Sequence, residues 1–137
     1  MDKSDFLNYR ALSLEVRQLR ALVAELEAAK YSAPGPDFSG VPRGTPAPGA
    51  AIEKQVIKYL DAVALYRAKV DEKATLLVAI ESAIDSLESP TERLIMRLRY
   101  IMGRSWTSVC LELQSLGYSE RQVYRLHGFA LMKLREV

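Results

Sequence analysis

The sequence predicts an all-α protein: long coiled-coil helices joined by a Pro/Gly-rich linker, followed by a C-terminal tri-helical helix-turn-helix domain. Three observations carry this. Apolar residues recur at alternating steps of three and four over most of the chain, the spacing of a helical seam. One stretch, residues 32–50, holds five of the six prolines and four of the seven glycines. Beyond residue 89, serines and glycines stand where short helices would start and stop.

Residues 1–31 form the first element. Tyr9, Leu12, Val16, Leu19, Val23 and Leu26 keep an a/d register, predicting a helix from about Ser4 to Tyr31. Residues 32–50, SAPGPDFSGVPRGTPAPGA, then lose backbone donors to proline and gain entropy from glycine, so they read as a mobile connector. Residues 51–88 resume the pattern with Ile52, Val56, Tyr59, Val63, Tyr66, Val70, Lys73, Leu77, Ile80, Ile84 and Leu87. Only Lys73 among these is not apolar. A helix of that length, roughly 55 Å at 1.5 Å per residue, needs a partner seam. The first helix supplies one, within the chain or between chains, giving a dimer or four-helix bundle.

Residues 89–137 make the third part. Ser89 caps, Pro90 fits the first helical position and Glu92 completes a capping box. A helix follows to about Met102, with Leu94, Ile95, Leu98 and Ile101 inward, and stops at Gly103. Ser105 caps the next helix, with Trp106, Val109, Leu113 and Leu116 inward, and Gly117 ends it. Ser119, three residues before Gln122, caps the last helix, 119–135. On that helix Val123, Leu126, His127, Ala130 and Leu134 share one face, and Glu120, Arg121, Tyr124, Arg125 and Gly128 the other.

Charge is distributed unevenly. Residues 90–137 hold 8 Lys/Arg against 4 Asp/Glu, whereas residues 1–89 hold 11 against 13. The basic surplus thus coincides with the short helices. Arg121 and Arg125 suit guanine, Gln122 suits adenine, Glu120 can accept from cytosine and Tyr124 can meet a phosphate or a sugar. Arg97, Arg99 and Arg104 are candidate phosphate contacts from neighbouring helices, beside the cap Ser119. The partner this implies is double-stranded DNA.

Other classes lack their residues. The single cysteine, Cys110, excludes an internal disulfide and a multi-cysteine metal site. The single histidine, His127, falls on the inward side of its helix and reads as a packing residue. No P-loop, dinucleotide fingerprint or nucleophile–base pair is present, so neither an enzyme nor a cofactor is expected. The start, MDKSDFLNYR, lacks a signal-peptide pattern, and no apolar run approaches the roughly 20 residues of a membrane span. A cytoplasmic protein without membrane contact is the expectation.

The stretch SPTERLIMRLRYIMGRSWTSVCLELQSLGYSERQVYRLHGFALMKLR resembles region 4 of the sigma-70 family. The resemblance rests on Pro90, Leu98-Arg99-Tyr100, Gly103, Ser119, Ala130-Leu131 and Leu134-Arg135. With its N-terminal helix, Pro-rich break and long second helix, the whole chain is similar to small sigma-like regulators of prophages, including late transcriptional activators of the RinA and ArpU type. The segment from Ser105 to Ser119 is longer than in that family, and nothing resembles its promoter-melting region. The resemblance implies an accessory DNA-binding transcriptional regulator, with recognition by Glu120, Arg121, Gln122, Tyr124 and Arg125. The seam helices imply a homo-oligomer of two or four chains, and RNA polymerase in place of DNA is an alternative partner of the C-terminal domain. A phage DNA-packaging subunit of the small-terminase type is the alternative, distinguished by a ring of many copies.

Overall fold

A computed structural model describes residues 1–32 and 48–136. The described residues are all-helical. The helices are α1 (Lys3–Ser32), α2 (Pro48–Asp85), α3 (Pro90–Met96) running into a π-helical turn (Arg97–Ile101), α4 (Trp106–Gln114) and α5 (Glu120–Arg135). The expected connector loses its edges to α1 and α2, and its remainder, residues 33–47, lies outside the described residues. The chain divides into two compact units: Met1–Ser13 with Glu72–Val137, and Leu14–Asp71.

In the second unit the two seams are the more buried sides of their helices. Val16, Leu19, Val23 and Leu26 of α1 are half-buried, as are Val56, Tyr59, Val63, Tyr66 and Val70 of α2. Ala62 is buried beside them, and Lys69 reaches Glu15 at 3.9 Å. Two helices alone can shield one side of each other only in part. Ile52, expected in the seam, is instead half exposed at 50%.

The first unit holds the true core. Phe6 and Tyr9 of α1 pack with Ile80, Ala83, Ile84 and Leu87 of α2, Met96 of α3, Tyr100 of the π turn, and Ala130 and Leu134 of α5. Phe6 and Tyr9 near the start of α1 thus share a core with the C-terminal end of α2 in the same chain. Lys73 breaks the apolar register for a reason the structure supplies: its Nζ lies 5.9 Å from the Tyr9 ring centroid, a cation–π contact that lets the stem stay in the seam. A second cluster, Ile95, Leu98, Val109, Leu113 and Val123, joins α3, the π turn, α4 and α5.

Three features of the short helices differ from expectation. First, the helix opened by Pro90 does not stay α-helical to Met102. Met102 N donates to Arg97 O at 2.9 Å, five residues back, and the wider turn carries both Leu98 and Tyr100 inward. Second, Glu92 leaves its expected capping box half made. Ser89 Oγ accepts from Glu92 N at 3.3 Å, but the Glu92 carboxylate is buried and takes two bonds from Lys133 Nζ on α5, at 2.9 and 3.0 Å. Third, Leu116 is 59% exposed rather than inward, since α4 ends at Gln114 and the chain turns through Gly117 at φ +90°, a conformation costly for any residue with a Cβ.

The Glu92–Lys133 bond ties α3 to α5 over 41 residues of sequence. Replacing Lys133 by Met leaves a carboxylate at 4% side-chain exposure without its cation. We expect a loss of about 2 kcal/mol in urea unfolding, less than for a fully enclosed pair because water can reach the half-exposed lysine position. The double variant Glu92→Met with Lys133→Met should recover most of it.

Candidate nucleic-acid interface

α5 opens on a complete capping box. Gln122 N donates to Ser119 Oγ at 3.2 Å and Ser119 N donates to Gln122 Oε1 at 2.8 Å. These bonds satisfy amides that would otherwise be orphaned at the helix start. They also commit both Ser119 and the acceptor oxygen of Gln122, so a bidentate grip on adenine by Gln122 would first have to break the cap. The inner face of α5 is as expected: Val123, His127, Ala130 and Leu134 are buried and Leu126 is half-buried.

The basic residues of the short helices fall into two groups. In the first, every guanidinium or ammonium is engaged. Arg93 donates to the carbonyls of Leu87 and Glu88 at the α2–α3 corner. Arg97 donates to Glu81 Oε2 at 3.1 Å. Arg104 pairs with Glu112 at 3.1 Å. Arg99 donates to Arg104 O at 3.0 Å and lies 4.7 Å above the Trp106 ring. Burial and the nearby Arg10 push its pKa down from the usual arginine value. Lys133 holds Glu92. Arg97, Arg99 and Arg104, expected as phosphate contacts, thus serve internal bonds.

The second group lies wholly on α5. Arg121, Arg125 and Arg135 are exposed and have no ion pair or side-chain hydrogen bond among the described residues. Arg121 and Arg125 stand one turn apart, a like-charge pair that costs an isolated helix a few tenths of a kcal/mol. The same outer side continues through Gly128, Phe129 and Met132, the last two 47% and 64% exposed. Their 3/4 spacing from Arg125 made this continuation readable in the sequence, but the expected site stopped short of it. Glu120 is exposed in the first turn, where its charge suits the helix N-terminus.

An aromatic group borders this side. Trp106 lies 5.2 Å from Tyr124 and 4.6 Å from His127, edge-on to the latter. Trp106 is half-buried against the second core cluster, which fits the packing role over an exposed one. Tyr124 keeps 43% of its surface exposed.

The two residues that could suggest chemistry are drawn into packing. His127 is buried, and its Nε2 lies 2.7 Å from Tyr100 Oη. Burial, with Lys3 and Arg99 nearby, lowers its pKa to about 4. The ring is therefore neutral at pH 7, and in the Nδ1-protonated tautomer Tyr100 donates to Nε2. The Cys110 thiol is held in its protonated form by burial and by Glu120. It lines a cleft of about 350 Å³ between α4 and the start of α5, with Thr107, Leu111, Gln114 and Tyr118. No group of three His, Cys, Asp or Glu side chains among the described residues is placed to hold a metal ion, and no helix among them is long and apolar enough to cross a membrane.

Gly128 also changes meaning. A neighbouring helix or a DNA backbone pressed against it would explain a glycine there; a Cβ built on it meets nothing within 4 Å among the described residues, so no neighbouring helix does. Gly128→Ala should raise stability by about 1 kcal/mol, the helix-propensity difference, seen as a higher urea midpoint at unchanged slope. A fall in stability would show that the helix does not persist through this point.

No family model, curated protein or solved structure matches this chain.

Proposed function

We propose that the chain is a sequence-specific DNA-binding transcriptional regulator of the phage type, in which α4, the Gly117 turn and α5 act as a helix-turn-helix and α5 enters the major groove. One observation carries this reading: of the eight Lys and Arg side chains in residues 90–137, five are committed to internal bonds, and the three that are not all lie on α5. A solvated surface has no need to sort its cations this way. The sorting follows if α5 meets a polyanion. Arg121 and Arg125 project from the first turns, the part of a recognition helix that reaches base edges. Arg135 lies toward the far end of the same helix, where a phosphate contact carries no sequence information. Tyr124, beside Trp106, adds an aromatic surface for a sugar or thymine methyl.

The resemblance of residues 89–135 to sigma region 4 supports the same placement, and the seam helices α1 and α2 serve as scaffold and, across copies, as the oligomerising half. The test is selection of genomic DNA fragments by the purified full chain, with affinity for the enriched sequence measured from about 50 to 200 mM salt. Enrichment of one sequence, and an affinity falling steeply with salt, are expected. Retention of all fragments alike, or of none, refutes sequence-specific reading, and binding to RNA polymerase without DNA would relocate the function of this face.

A further inference from the structure

The basic outer side of α5 is interrupted by a bare position. Arg121, Arg125, Gly128, Met132 and Arg135 follow one another at steps of four, three, four and three and are all exposed. α5 is one helix from Glu120 to Arg135, so this spacing sets the five along one side, with Gly128 in the middle. Nothing among the described residues calls for glycine there. Its φ is not positive, unlike that of Gly103 and Gly117, and a Cβ would meet no atom within 4 Å. Glycine in a helix interior is costly against alanine. A bare backbone facing outward therefore fits a contact made with something outside the chain.

The surroundings of Gly128 single out the occupant. On a helix surface the neighbours of residue 128 are residues 124, 125, 131 and 132. Toward the helix start these are Tyr124, set against Trp106 at 5.2 Å, and Arg125, both exposed. Toward its end they are Leu131, half-buried, and Met132, 64% exposed. One flank thus offers donors to an anion and the other an apolar surface. A sugar–phosphate backbone has the same division, phosphate beside deoxyribose. Arg121 and Arg135 stand seven residues to either side, about 10 Å along the axis. Like Arg125, they have no ion pair among the described residues. A protein helix would also approach closely at a glycine, but three unpaired arginines and no acid on the stripe favour a polyanion.

Resting on the reading of α5 as the DNA-binding helix, we infer that Gly128 is where the sugar–phosphate backbone of one DNA strand lies against the helix. A phosphate there takes bonds from Arg125, and the sugar packs toward Leu131 and Met132. This sets how α5 sits in the groove: the turns before Gly128 meet base edges, and the groove wall crosses the helix at Gly128. A Cβ at that point holds the strand off.

The test measures binding of the full chain to the genomic sequence it enriches, for wild type, Gly128→Ala and Gly128→Leu, alongside urea unfolding. Gly128→Ala should weaken binding about fivefold and Gly128→Leu about thirtyfold or more, although both variants should be more stable than wild type. A neutral methylphosphonate is then placed at each linkage of that duplex in turn. At one linkage it should weaken wild type and leave Gly128→Leu little changed, which couples that phosphate to residue 128. Three results overturn the inference while wild-type binding leaves the DNA reading standing: Gly128→Ala binding within about twofold of wild type, variants less stable than wild type, or no linkage coupled to residue 128. Variants that keep DNA affinity but lose RNA polymerase assign the position to a protein contact and overturn it too. A wild-type chain that enriches no sequence removes both the reading and the inference.

Discussion

Replacing Arg121 and Arg125 together by alanine should lower affinity for the selected DNA roughly thirtyfold or more at physiological salt, at about 1–3 kcal/mol for each arginine on a base edge. The fold should not notice. Neither side chain has a partner among the described residues, and removing two like charges one turn apart relieves a small repulsion. Unfolding free energy should therefore stay within about 0.5 kcal/mol of wild type. Arg104→Ala is the contrasting variant, because that guanidinium is already paired with Glu112. It should cost less affinity than the α5 pair. Intact DNA affinity in the Arg121/Arg125 variant would end the assignment of α5 as the reading helix.

The second large effect is on acid stability. His127 has a pKa lowered to about 4 in the folded chain, against about 6.5 when unfolded. The folded state thus binds fewer protons than the unfolded state between these values. The stabilisation from keeping the ring neutral is fully present above pH 6.5 and is lost as pH falls toward 4. At about 1.4 kcal/mol per pKa unit the loss reaches roughly 3 kcal/mol. Urea unfolding at intervals from pH 7 to pH 4 should show this decline. A double variant, Tyr100→Phe with His127→Phe, removes both polar atoms of the buried bond and should flatten the curve in that window. Each single variant should be less stable than the double, since it strands one buried polar group. A double variant with the wild-type pH profile would place the acid sensitivity elsewhere.

Much of the helical layout was legible because its signals are local. Ser105 and Ser119 cap the helices they precede, and the inner face of α5 follows from a 3.6-residue period over sixteen residues. What escaped was set by contacts distant in sequence. Whether Glu92 folds back on its own cap or reaches Lys133 depends on where α5 lies. The π turn, which buries Tyr100 at 2% exposure, arises where Phe6 and His127 converge on that ring, and no window around residue 100 contains either. The same holds for the candidate interface. Arg97 and Arg104 read as free cations in a list of residues, and only the positions of Glu81 and Glu112 show them occupied. Arg121 and Arg125 read the same way in the sequence, and their difference from the others is a tertiary fact.

The shared core of Phe6 and Tyr9 with Ala130 and Leu134 has a consequence for biosynthesis. A chain emerging from the ribosome presents α1 and α2 well before α5 exists, when Phe6, Tyr9 and Ile84 lack the α3 and α5 residues with which they share a core. Those side chains stay open to chaperones, or to other nascent chains, until residue 134 has cleared the exit tunnel. This unit therefore cannot close until residue 134 is available, and the long interval between its first and final contacts makes slow synthesis a hazard rather than a help.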